Sequence, residues 1–227
     1  MVVARYGQLL DVMKALMGVA FLWGVLMAPA MAGEPKSPRP LQIVAFGDSL
    51  TAGFGLPPAD AFPAQLQKAL RARGYDVAVT NAGVSGDTTS GGLQRIDWAV
   101  PPGTQAVILE LGANDALRGI DPAQARTNLD QILASLAKRG IPVLLAGMRS
   151  PQNWGKNYVD SFERLYPELA ARHGVLLYPF FMEGVALDPK LNLDDGLHPN
   201  TDGVARIVEG ILPKVEALIE TAKSSKN

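Results

Sequence analysis

Ile43-Val44-Ala45-Phe46-Gly47-Asp48-Ser49-Leu50-Thr51-Ala52-Gly53-Phe54-Gly55 begins as an unbroken apolar run and stops at a glycine, a carboxylate and a hydroxyl. A strand that is apolar at every position, rather than at every second one, is buried on both faces. That pattern belongs to a parallel sheet covered by helices. In open parallel sheets chemistry gathers beyond the carboxyl ends of the strands. The break at Gly47-Asp48-Ser49 falls at such an end.

Outward from this stretch, short apolar runs alternate with longer amphipathic segments. Strands are expected at Gln42–Phe46, Val77–Asn81, Ala106–Leu111 (broken only by Glu110), Ile141–Gly147 and Val175–Tyr178. Between them, Phe62–Arg73 places Phe62, Leu66, Ala69 and Leu70 on one helical face and ends at Gly74. Gly91–Trp98 reads as a short helix, Pro122–Arg139 as a helix capped by Asp121 and stopped by Gly140, and Tyr158–His173 as one stopped by Gly174. Thr201–Thr221 forms the last helix. The alternation β-α-β-α-β-α-β-α-β-α predicts an α/β fold, a three-layer α/β/α sandwich around a five-stranded parallel sheet of the flavodoxin-like type.

Composition narrows the function. The 227 residues are 48% hydrophobic and 19% charged with a formal net charge of −1, which suits a globular core and gives no basic excess for nucleic acid. With no cysteine, thiolate catalysis, disulfides and cysteine metal sites are excluded. At the N-terminus Arg5 and Lys14 precede the apolar Ala15–Met27, followed by Ala28-Pro29-Ala30-Met31-Ala32. This reads as a secretory signal peptide over 1–32 with an A-x-A cleavage site, its apolar part short for a membrane span. Residues 33–40 form a proline-rich lead-in and 41–227 the folded domain. The expected location is periplasmic or secreted, with no stable membrane span after cleavage and a monomer as the default.

The residues after each strand bear the chemistry. Gly53-Phe54-Gly55-Leu56-Pro57-Pro58 starts like a dinucleotide fingerprint but has Pro58 at the third glycine position. Gly47-Asp48-Ser49-Leu50-Thr51 lacks the second glycine of a G-x-S-x-G elbow. A serine nucleophile needs a base, and only His173 and His198 are available. His173, just before Gly174, suits a cation at a helix C-terminus. His198 precedes Pro199, which keeps it out of helical geometry. Asp195, three residues earlier, can hold its other ring nitrogen. No further histidine or cysteine stands ready to complete a metal site. Ser49 and Gly86 offer backbone N–H groups, and Asn114 a side-chain amide, for an oxyanion hole.

Gly47-Asp48-Ser49-Leu50, Gly86, Asn114 and Asp195-x-x-His198, in this order, resemble the SGNH (GDSL) hydrolase superfamily. Asn81–Thr88, Glu110–Gly119, Pro179–Glu183 and Asp194–Asn200 are similar to its bacterial periplasmic arylesterase, thioesterase and lysophospholipase members. The resemblance implies Ser49 as nucleophile, His198 as base and Asp195 as its orienter. It implies an oxyanion hole from Ser49, Gly86 and Asn114, and hydrolysis of acyl esters or thioesters without a cofactor. Ala113 departs from the family's usual glycine before the asparagine; activity is expected to survive the added methyl.

For the substrate, the Arg149–Tyr158 loop with Trp154 and Tyr158, together with Leu117 and Phe180-Phe181-Met182, is expected to wall an apolar cleft, at least one of the two phenylalanines instead packing under the last helix. Leu117, Trp154, Tyr158 and Met182 are the candidate substrate contacts. A carbohydrate acetylesterase on the same scaffold and a non-catalytic envelope protein are the competing readings.

Overall fold

The computed structural model describes residues 39–224; the expected signal segment 1–32 and most of the lead-in lie outside them. The elements run β1 Leu41–Gly47, α1 Ser49–Ala52, α2 Phe62–Ala72, β2 Val77–Gly83, α3 Thr89–Ala99, β3 Ala106–Glu110, α4 Ala113–Leu117, α5 Pro122–Lys138, β4 Val143–Ala146, α6 Lys156–His173, β5 Leu176–Tyr178 and α7 Thr201–Ser224. All five strands are parallel, in the order β2-β1-β3-β4-β5. Helices α2 and α7 pack together on one side of the sheet, and α3, α5 and α6 on the other. This is the expected three-layer α/β sandwich.

The apolar runs behave as their composition requires. Every residue of β3 and β4 is buried, and β1 is buried throughout except at Gln42. The edge strands β2 and β5 are mostly half-buried. The helix signals hold as well. Asp121 caps α5 by accepting from the Ala123 N–H at 2.9 Å, and Gly174 ends α6 in the left-handed conformation at φ 63°. Two one-turn helices, α1 and α4, were not anticipated. They start immediately after β1 and just past β3, at the ends that matter.

Register sets the geometry of those ends. Gly47 pairs with Gly83 of β2 and with Glu110 of β3. The turns leading to Ser49, Gly86 and Asn114 therefore leave the sheet at one level, side by side. The order of the strands places β1 and β3 as neighbours where the connections diverge to opposite faces, the position at which open sheets form a crevice.

Candidate active site

The turn after β1 explains its own sequence. A Cβ at position 47 would sit 2.1 Å from Thr51 Oγ1 and 2.4 Å from Glu110 Oε2, so only glycine lets these groups close beneath the turn. Asp48 is the N-cap of α1, its Oδ1 accepting from the Leu50 N–H at 3.0 Å. Ser49 is then the first residue of that helix, and its backbone N–H has no acceptor inside the helix.

Across the cleft, the segment before α7 delivers His198. Its Nε2 lies 2.9 Å from Ser49 Oγ, and its Nδ1 lies 2.6 Å from Asp195 Oδ2. Asp195 Oδ1 also accepts the N–H groups of Leu197 and His198, at 2.9 and 3.0 Å. The His198 backbone N–H leads the contacts that hold the Asp195 carboxyl down at about 2. The loop is tied from behind. Asn192 Nδ2 donates to the carbonyls of Val185 and Asp188, and the Leu193 N–H donates to the His198 carbonyl. The Phe54 ring lies 4.4 Å from the His198 ring, centroid to centroid; no spacing in the sequence pointed to that contact.

The oxyanion candidates occupy the neighbouring turns. Asn114 is the second residue of α4, and its Nδ2 donates to Asp48 Oδ2 at 3.2 Å. Gly86 takes φ +81°, a left-handed conformation that favours glycine. Its carbonyl accepts from Arg118 Nη2 at 2.8 Å, while its N–H donates to no protein group among the described residues.

Arg95 of α3, almost completely buried, binds the two strand ends together. It donates to the Gly47 carbonyl, the Ala82 carbonyl and Asp87 Oδ2, at 2.8, 2.8 and 2.7 Å, and stacks over Phe46. Beneath Ser49, Glu110 is fully buried. Its Oε2 accepts from Thr51 Oγ1 at 2.7 Å and from the Asp48 N–H at 3.3 Å, and burial, followed by the Asp48 charge, pushes its carboxyl well above the usual range. Burial likewise raises Asp48, to about 6. The sequence carried one signal for this arrangement, a lone acid in an otherwise apolar strand.

A groove of about 830 Å³ opens at Ser49. Of the residues singled out from the sequence, Ser49, Asn114, Leu117, Met182 and His198 line it, and so does Ala113. Gly86 and Asp195 stand outside the lining. Trp154 and Tyr158 do not line the groove either, which corrects the expectation. Trp154 Nε1 donates to the Ala116 carbonyl at 2.8 Å with its ring over Gly119, and Tyr158 OH donates to the Ile120 carbonyl at 2.8 Å. Both rings pin the loop to the segment after β3, because each polar tip finds a carbonyl there. The loop meets the groove instead through Arg149, Ser150, Pro151 and Gln152. The two phenylalanines divide. Phe181 is fully buried edge-on to Phe62, and Phe180 lines the groove beneath the Arg149 guanidinium.

Comparison with known proteins gives a consistent picture. Residues 45–206 match the model of the GDSL-like lipase/acylhydrolase family. Esterase TesA of Pseudomonas aeruginosa is 39% identical over 201 residues, covering 88% of this chain and 99% of that protein. Thioesterase 1/protease 1/lysophospholipase L1 of Escherichia coli K12 is 37% identical over 178 residues, covering 78% of this chain and 84% of that protein. Among solved structures, AlinE4, an SGNH-hydrolase family esterase, superposes with a TM-score of 0.68 at 46% identity, covering 79% of this chain and 96% of that one.

Proposed function

Because the chain belongs to the GDSL-like lipase/acylhydrolase family and is a carboxylic ester hydrolase, we propose that it works through a Ser49-His198-Asp195 triad and an acyl-enzyme. The observation that carries this reading is the continuous relay from Asp195 Oδ2 to His198 Nδ1 at 2.6 Å and from His198 Nε2 to Ser49 Oγ at 2.9 Å. Ser49 Oγ attacks the substrate carbonyl carbon while Nε2 takes its proton. Negative charge develops on the carbonyl oxygen and meets the Ser49 and Gly86 N–H groups and the Asn114 amide. The tetrahedral intermediate collapses, and imidazolium returns the proton to the departing alcohol or thiol. Water then repeats the attack on acyl-Ser49, with His198 again as base, and the free acid leaves. Asp195 holds the Nδ1–H tautomer and stabilises the imidazolium throughout.

The substrate class follows from the groove. Leu117, Met148, Phe180, Met182 and Leu187 supply apolar wall next to Ser49, which fits the acyl chain of an ester or thioester better than a polar sugar polymer. Residues 1–32, read as a secretory signal, fit action outside the cytoplasm.

The test is hydrolysis of p-nitrophenyl esters from acetyl to long acyl chains by wild type and Ser49→Ala. The reading predicts kcat/KM rising beyond acetyl and turnover abolished in the variant. A rate highest for acetyl and falling with chain length overturns the acyl-groove assignment, and turnover surviving in Ser49→Ala removes the nucleophile.

A further inference from the structure

Gly53-Phe54-Gly55, the stretch that fails as a dinucleotide fingerprint, has another use in the fold. The Ser49 carbonyl accepts the N–H groups of Gly53 and Phe54, each at 3.1 Å. The flanking glycines take left-handed backbone, φ 83° at Gly53 and 75° at Gly55. A Cβ at these positions would meet Ala61 Cβ at 2.5 Å and Leu193 Cδ1 at 2.7 Å. The turn is thus folded onto the carbonyl of the nucleophile's own residue and pressed against the loop that carries His198. Leu193 extends that contact, its N–H donating to the His198 carbonyl at 2.8 Å.

The turn sets an aromatic ring against the base. The Phe54 and His198 rings are 4.4 Å apart, centroid to centroid, and their planes tilt by 34°, nearer to stacked than to edge-on. Core packing does not explain the ring, because Phe54 is 48% exposed and stands outside the buried core. It does not line the groove either. What it covers is the imidazole. Asp195 and Ser49 hold that imidazole only at its two nitrogens. A ring held at two points in its own plane can still swing about the line that joins them. One hold is also lost during turnover, when Ser49 Oγ becomes an ester oxygen. The Phe54 contact uses neither nitrogen and lasts through both half-reactions. An aromatic face also attracts a cation, and His198 becomes one whenever it takes a proton from Ser49 or from water.

We propose that Phe54 is a positioning residue of the base: its ring keeps the His198 imidazole in line between Asp195 and Ser49 and stabilises the charge gained in each proton transfer. Phe54 touches neither substrate nor the attacking oxygen and acts through His198. The proposal rests on His198 being the base, and the experiment separates the two.

Phe54→Leu keeps an apolar side chain without the aromatic face, and Phe54→Tyr keeps the face. Both are assayed for kcat and KM on a p-nitrophenyl ester, with active sites titrated by a fluorophosphonate and folding checked by circular dichroism. A cation against an aromatic face is worth about 2- to 30-fold. Phe54→Leu is therefore expected to lower kcat about tenfold without raising KM, and Phe54→Tyr to stay within about twofold of wild type. The rate of Ser49 phosphonylation is then compared in two backgrounds. Phe54→Leu is expected to slow it about tenfold in wild type and less than about twofold in His198→Ala, where the group through which the ring acts is gone. An unchanged kcat in Phe54→Leu, a Tyr variant as slow as the Leu variant, a raised KM, or equal slowing in both backgrounds overturns the proposal and leaves Phe54 as surface packing. Full turnover in His198→Ala instead overturns His198 as the base. If Phe54→Leu does not fold, Phe54→Met is read in the same way with the same outcomes.

Discussion

His198 and His173 are one side chain in two settings, and the difference between them is made by neighbours. His198 is held between Asp195 and Ser49 and packed by Phe54. His173 ends α6 and pairs through Nε2 with Asp130 of α5 at 2.7 Å, a contact that heads the causes holding the Asp130 carboxyl below its ordinary value. The account predicts that His198→Ala abolishes measurable ester turnover in a folded protein. His173→Ala should keep kcat within about twofold and cost about 0.5–1 kcal/mol of stability, the scale of one partly exposed side-chain pair. Steady-state kinetics and urea unfolding of the two variants check both statements; a dead His173→Ala would mean the wrong histidine has been made the base. At this scale Asp195-x-x-His198-Pro199 made a loop histidine with a carboxylate in reach legible, while the candidate roles of Ser49, His198 and Asp195 came with the resemblance. Trp154 and Tyr158 were misread because a loop's sequence does not show which way its rings face. Their direction is decided by the carbonyls of Ala116 and Ile120, in another part of the chain.

Elements were easiest to read where their period is long. The strands β1, β3 and β4 announce themselves as continuous apolar runs, and α5 carries its own cap and stop. The one-turn helices α1 and α4 were invisible, because four or five residues cannot display a helical period. They nevertheless place Ser49 and Asn114. Arg95 was invisible for another reason: its partners Gly47, Ala82 and Asp87 belong to two different strand ends and a loop, and only the folded register brings them together. Arg95→Met, which keeps much of the volume, removes the donors from two buried carbonyls and strands the Asp87 carboxylate. Breaking a buried ion pair from one side costs about 3–5 kcal/mol. A fall of that size in unfolding free energy is expected in urea titrations, together with a lower kcat in the variant that remains folded. A stability loss below about 1 kcal/mol would show that the strand ends hold their register without Arg95.

For the molecule as a whole, the parallel sheet and its sandwich of helices followed from strands apolar on both faces, and with them chemistry beyond the carboxyl ends of the strands, while the crevice between β1 and β3 needed the folded strand order and register. Building a site over buried acids has a consequence for stability against pH. Asp48 is raised to about 6 and Glu110 is raised in the same direction, so the native state holds their protons more tightly than the unfolded chain does. Their contribution is fully present below the ordinary carboxylate range and is lost as pH rises through about 6 and beyond. Asp195, held at about 2, works the other way, contributing above the ordinary range and losing its effect as pH falls toward 2. The urea midpoint of wild type minus that of Asp48→Asn is therefore expected to shrink between pH 4 and pH 7. The Asp48 shift alone is worth about 3 kcal/mol at about 1.4 kcal/mol per unit. A difference that grows with pH would mean that Asp48 is ionised more easily in the fold than in water.

The most direct measurement of the central claim is covalent. The protein is treated with a fluorophosphonate, and the adduct is located by intact-mass and peptide mass spectrometry. The account predicts one phosphonyl group per chain, on Ser49, absent in Ser49→Ala and formed far more slowly in His198→Ala. Labelling at another residue, or no labelling of a protein that hydrolyses esters, would contradict an acyl-enzyme formed on Ser49.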